Sequence, residues 1–191
     1  MKKIHSFDLV HDSQGLFRLI LKAVSRPLIF VNIKEYADKL FGDDKNLLAI
    51  AITMLDNEVS FNTCENRALS DEIISLTLSR RETIENADFI FVNDNKNLKE
   101  VIENAKCGTL VDPHKSAIIV VKISNDKDTK IKLKGAGIDG TIEIITDFTV
   151  FDALEMRDNL FFEYPQGIDF LFVQENGELF AIPRLTIREV M

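Results

Sequence analysis

The chain has 191 residues, 46% hydrophobic and 28% charged, the balance of a globular domain and not of a disordered or fibrous chain. Its formal net charge of −8 at pH 7 repels a phosphate backbone on average, so nucleic acid is not an expected partner. Two cysteines, Cys64 and Cys107, stand far apart without CxxC spacing, which fits a reducing compartment and writes no disulfide framework into the sequence. No apolar run approaches the roughly 18 residues of a spanning helix, and no apolar stretch of a secretion signal follows Lys2 and Lys3. The expected location is the cytoplasm, with no membrane contact.

From Asp12 to Val24 the apolar residues Leu16, Phe17, Ile20, Leu21 and Val24 recur at three- and four-residue intervals, and Asp12 or Ser13 can cap the free amides, so a helix is predicted. Pro27 ends it. Leu28 to Ile33 then reads as a buried strand. Asn46 to Asn57 is apolar almost all round, Val59 to Cys64 alternates like a strand, and Ala68 to Arg81 returns to helical period. Asp88 to Val92 is a short apolar strand. Asp94 or Asn95 can cap a helix through Asn104, closed by Cys107 and Gly108 before Asp112-Pro113.

After Pro113 the texture changes. Ser116 to Ile123, a turn at Asn125 to Asp128, and Lys130 to Gly135 together predict a hairpin. Thr141 to Thr146 adds a strand, and Phe148 to Asn159 a mostly polar helix. A closing hairpin joins Ile168–Val173 to Glu178–Ile182 through Asn176-Gly177, a dipeptide whose positive backbone angles match strand twist. Strands separated by helices in the first half and hairpins in the second imply an α/β fold, a mixed sheet covered by helices, in a single domain over 1–191.

Few constellations carry chemistry. Gly135-Ala136-Gly137 follows a predicted strand and can present amides to a phosphate, but a dinucleotide fingerprint needs a third glycine and a helix opening at once. The other reading of these glycines is a tight or bulged connection. Asp169 opens one strand of the closing hairpin and Arg184 follows the other, so antiparallel pairing brings them close. They make either a structural ion pair or a site where Arg184 grips a phosphoryl or carboxylate group while Asp169 orients it. Gly135, Gly137, Asp169 and Arg184 are therefore the candidate ligand or structural residues, and no residue is assigned a catalytic role.

The remaining charged groups read more blandly. His5, His11 and His114 share no ligand spacing, so no metal is expected. Asp43-Asp44 and Asp71-Glu72 read as solvated. Among the lysines only Lys134, before the glycines, suggests an anchor for pyridoxal phosphate, and no cofactor is expected. Arg18, Lys22 and Arg26 along the first helix, and Arg80-Arg81 at the end of another, read as solvated helix faces, with an anion or partner site as the alternative.

Three blocks, DSQGLFRLILKAVSRP at Asp12 to Pro27, LKGAGI at Leu133 to Ile138, and YPQGIDFLFV with AIPR between Tyr164 and Arg184, resemble the PhnH family in order and separation. Asp12, Gln14, Phe17, Arg18, Ser25 and Pro27 carry the match in the first block. Pro165, Gly167, Ile168, Asp169, Pro183 and Arg184 carry it in the last. Family members often have glycine after that first proline; this chain has Leu28, which predicts a different turn. Ile33 to Lys115 matches mainly in its pattern of helices and strands.

The resemblance implies a fold like the large domain of pyridoxal-phosphate-dependent transferases, without a functional cofactor site. It implies a non-catalytic subunit of the carbon–phosphorus lyase assembly, associated with PhnG-, PhnI- and PhnJ-like subunits. That assembly attaches a phosphonate to the ribose of ATP, displacing adenine, before radical cleavage of the carbon–phosphorus bond. The iron–sulfur cluster for such cleavage needs several thiolates, which two cysteines cannot supply. Two alternatives stay open. One is a stand-alone phosphate-ligand or nucleotide-binding enzyme using the Gly135–Gly137 loop with Asp169 and Arg184; the other is a free homodimer formed through apolar surface that related subunits share with partners.

Overall fold

A computed structural model describes residues 5–189; Lys2 and Lys3 lie outside them. In chain order the elements are α1 (His11–Ser25), β1 (Val31–Asn32), α2 (Lys34–Ala37), α3 (Lys45–Met54), β2 (Ser60–Asn62), α4 (Arg67–Thr77), β3 (Arg80–Arg81), β4 (Phe89–Val92), α5 (Leu98–Asn104), β5 (Ile118–Ile123), β6 (Thr129–Gly135), β7 (Ile142–Thr146), α6 (Phe148–Asp158), β8 (Asp169–Gln174), β9 (Glu178–Ile182) and β10 (Thr186–Arg188). Seven strands form one sheet in the order β1-β9-β8-β5-β4-β2-β3, and β10-β6-β7 form a second of three strands. In the large sheet β9 alone runs against the others. The class is the expected α/β with a mixed sheet and helices.

β4 is apolar at every position, and β5 and β8 are so except at Lys122, Asp169 and Gln174, because both faces of the large sheet are covered. Phe89, Phe91, Val120, Leu171 and Val173 face one cluster, built with Leu16, Ile20 and Ala23 of α1 and the apolar body of α3. Ile90, Val92, Ile119, Val121, Phe170 and Phe172 face the other, shared with α5, α6 and the small sheet. Among the described residues no helix is long and apolar enough to cross a membrane.

Three local expectations are corrected. The hairpin from Ser116 to Gly135 does not form: β5 pairs in parallel with β4 and β8, while β6 pairs with β7 and β10. The reason is layer. β5 is apolar at both parities, as an interior strand must be, whereas β6 buries Ile131 and Leu133 and leaves Lys130 and Lys134 outside, the one-sided pattern of a covering sheet. The strand expected over Leu28 to Ile33 is only Val31–Asn32, on the sheet edge. The helix expected through Arg81 stops at Thr77, where Leu78 turns left-handed (φ 59°) with its amide on the Ile74 carbonyl, and Arg80-Arg81 becomes the edge strand β3.

Candidate functional site

β8 opens on Asp169, and the register that sets Phe170 opposite Ile182 carries Pro183 and Arg184 past the end of β9 to Asp169. The Arg184 amide donates to Asp169 Oδ1 at 2.8 Å, and its Nε lies 3.2 and 3.1 Å from the two carboxylate oxygens. Nη1 donates to the Pro113 carbonyl at 2.5 Å. Nη2 donates to Asp169 Oδ2 and to Ser116 Oγ. The planar fork thus ties the start of β8, the end of β9 and the turn before β5 into one knot.

Two further residues hold that knot in place. Gly167 (φ +144°) leaves room for the stem of Arg184, since a Cβ there would stand 2.9 Å from the arginine's own Cβ. Arg157 of α6 is only 3% exposed; its Nη1 donates to the Pro183 carbonyl at 3.3 Å, its Nη2 to that of Thr186, and its guanidinium carbon lies 5.6 Å from the centre of the Phe170 ring. Burial pushes the Arg157 guanidinium below its ordinary pKa, against the pull of Asp158.

Beside the knot opens a cleft of about 520 Å³. Val24, Ser25 and Pro27 of the first block wall one side, Ala136 and Gly137 of the second another, and Pro165, Asp169 and Arg184 of the third the rest. Three stretches, the first more than a hundred residues from the other two, therefore meet at one place. Of the four candidate residues, Gly137, Asp169 and Arg184 border the cleft directly. Gly135 lies one residue back, opposite Thr186, where a Cβ would stand 2.3 Å from the Leu185 carbonyl oxygen, so the two backbones pass only because the residue is glycine. Lys134 points to solvent.

The turn after Pro27 holds a left-handed leucine. Leu28 takes φ 67°, the region glycine favours, with its amide toward the Ala181 carbonyl at 3.3 Å. Its side chain is buried in the cluster around Phe170 and Phe180, and that burial offsets a left-handed strain of about 1–2 kcal/mol.

The starts of β5 and β8 mark the amino end of the parallel strands, so the cleft lies there. Open α/β sheets bind ligands beyond the carboxyl ends, at the point where strand order reverses, which here falls between β2 and β4. That crevice holds the protein's own groups. Asp44 receives Lys122 Nζ at 3.1 Å, Asn66 Nδ2 at 2.7 Å and Asn93 Nδ2 at 3.4 Å, and Lys122 also donates to the Asp43 carbonyl at 3.1 Å. Asp44, expected in solvent, has a side chain 18% exposed because these donors enclose it. Asp71 stays at the surface beside Arg81, and Glu72 meets His5 Nε2 at 2.6 Å.

Cys64 follows β2 at the same end, buried, its thiol pushed up to about 12 by desolvation and by Glu100 and Glu65. It remains protonated and a poor nucleophile at neutral pH. Among the described residues no group of three or more His, Cys, Asp or Glu side chains could hold a metal ion. His114 borders the cleft, and His11 opens α1.

Pro113, Ser116 and Arg157 were not legible in the sequence. Arg157 lies in a helix that read only as mostly polar, and its partners are 26 and 29 residues away. Only the Asp112-Pro113 turn gave a local signal, and it marked a boundary and not a contact.

These features define a mixed-sheet α/β protein in which distant sequence blocks are folded together around one apolar surface cleft. Residues 5–189 match the family model of PhnH, the bacterial phosphonate metabolism protein. The chain belongs to the PhnH family, and its role lies in phosphonate metabolism. No curated protein matches it.

Proposed function

We propose that this chain is a non-catalytic subunit of the carbon–phosphorus lyase assembly that makes alpha-D-ribose 1-methylphosphonate 5-triphosphate, bound to PhnG-, PhnI- and PhnJ-like chains in the cytoplasm. One observation carries the reading: the three family-like blocks gather around an open, mainly apolar cleft at the amino end of the sheet, with Arg184 already engaged by Asp169, Ser116 and Pro113. A guanidinium whose fork is filled by a carboxylate is not free to grip a phosphoryl group. Open apolar surface is what partner chains cover.

A seven-stranded sheet with one reversed strand and cover on both faces supports a likeness to the large domain of pyridoxal-phosphate-dependent transferases. Lys134, the one lysine that suggested a cofactor anchor, is exposed on β6 and away from the carboxyl-end crevice, which supports a version of that domain without the cofactor. In isolation the same cleft surface can pair with a second copy.

The test is coexpression of the tagged chain with the neighbouring subunits of its own genome, followed by mass analysis of what is retained. Recovery of PhnG-, PhnI- and PhnJ-like chains in fixed ratio is expected. A solitary chain that binds a nucleotide or pyridoxal phosphate in calorimetry would overturn the proposal and favour a ligand site at Gly137, Asp169 and Arg184.

A further inference from the structure

Helix α1 has two apolar faces, and the sheet uses one. Leu16, Ile20 and Ala23 are buried against it, while Phe17, Leu21 and Val24 stand 45%, 52% and 44% exposed on the outer side. Val10, 72% exposed, extends that row at a seven-residue step from Phe17 and Val24, with Gln14 and Leu21 between them. Alternating steps of four and three are the seam spacing of one helix packing on another. A helix that only covers a core carries polar residues there.

Beside this row stand Arg18 and Lys22, with Arg26 just past the helix end. Their side chains make no ion pair among the described residues, in a chain whose carboxylates outnumber its cations by eight, 31 against 23. The apolar row also continues into the cleft, which Val24 and Pro27 border.

We propose that the outer face of α1 is a docking surface for another chain of the phosphonate assembly, one that presents an amphipathic helix with an apolar row edged by carboxylates. The inference rests on the subunit reading above and assigns it a surface and a partner chemistry. Charge selects the occupant. A second copy docked through this face by a twofold axis sets each basic row against its own equivalent, which opposes association. An anionic membrane offers the same two chemistries, but it repels a chain of net charge −8, and α1 cannot sink into lipid with its other face locked in the core.

The test uses the full chain coexpressed with its neighbouring subunits, in three forms: wild type, R18E/K22E/R26E, and F17S/L21S. Thermal melts of each purified form confirm folding. Treatment with a zero-length carbodiimide is expected to join Lys22 to an Asp or Glu of another subunit in the wild-type assembly. Both variants are expected to retain about tenfold less of that subunit. Variants that melt like wild type and are retained equally would overturn the proposal, as would a Lys22 cross-link only to carboxylates of this same chain. Loss of binding to phosphatidylglycerol vesicles with assembly unchanged would replace it by a membrane role. A wild-type chain retained by no subunit refutes the subunit reading itself, an outcome distinct from retention that ignores α1.

Discussion

The two ends of the parallel strands carry the same kind of polar knot in different settings. At the carboxyl end Asp44 gathers Lys122, Asn66 and Asn93 in the crevice where a ligand would ordinarily sit, beside a smaller cavity of about 310 Å³ that Asp44 and Asn66 also line. At the amino end Arg184 gathers Asp169, Ser116 and Pro113, and beside it an apolar cleft of about 520 Å³ stays open. One cation, one carboxylate and neutral partners make each knot; the second adjoins the larger cavity, lined mainly by apolar residues. Fold class alone points to the carboxyl end. The convergence of the sequence blocks points to the amino end.

The strongest way to break the comparison is Arg184→Ala. It leaves the Asp169 carboxylate without its main partner and frees three chain segments, so a loss of about 3 kcal/mol in urea unfolding is expected. Arg184→Lys keeps the charge without the fork and is expected to recover less than half of it. Asp44→Ala, at the other end, strands Lys122 in a half-buried position and is expected to cost about 2 kcal/mol. Subunit retention sharpens the contrast: it is expected to fall for Arg184→Ala and to stay for Asp44→Ala when both are measured well below their melting temperatures. Equal retention of the two variants would mean that the ends do not differ in use.

Leu28 supplies a subtler test at the amino end, because its backbone and side chain pull in opposite directions. Leu28→Ala is expected to lose about 3 kcal/mol by emptying its place in the core. Leu28→Gly empties the same place but relieves the left-handed strain, so it is expected to be more stable than the alanine variant by about 1 kcal/mol. That reverses the usual order of alanine and glycine. Unfolding midpoints that leave glycine below alanine would show that the positive φ carries no strain.

What could be read in the sequence was what local pattern decides. The period of α1, the Asn176-Gly177 turn and the strands it joins each rest on neighbours a few residues apart, and the meeting of Asp169 with Arg184 follows from hairpin register alone. The separation of β5 from β6 was present in the sequence but misread: one strand is apolar at both parities and the other alternates, and that difference assigns them to different layers. The left-handed turn at Leu28 was not legible for another reason: tertiary burial holds a conformation that its residue type disfavours. The contacts of Arg184 with Pro113 and Ser116 span 71 and 68 residues, and no local signal reports such a meeting. The same holds for Asp44, a loop carboxylate until β4, β5 and α4 enclose it.

Asp88 gives the smallest expected effect, and its sign distinguishes a knot from a passing surface contact. Its carboxylate receives the Ser60 amide at 2.8 Å and the Ser60 hydroxyl at 2.6 Å, with Lys106 Nζ on the other oxygen, so it stitches the starts of β2 and β4 together. Burial alone would raise its pKa; the hydrogen bonds from Lys106 and Ser60 outweigh that and hold it below the ordinary value. A carboxyl whose folded pKa is depressed contributes stability that is present above its unfolded pKa, near 4, and is lost as pH falls through the folded value. Asp88→Asn is therefore expected to melt below wild type at pH 7, with the gap narrowing by pH 3. The side chain is 36% exposed, so screening keeps the neutral-pH gap to about 1 kcal/mol or less. A gap that is the same at both pH values would mean that Asp88 acts through shape and not through charge, and that the stitch between β2 and β4 owes nothing to ionisation.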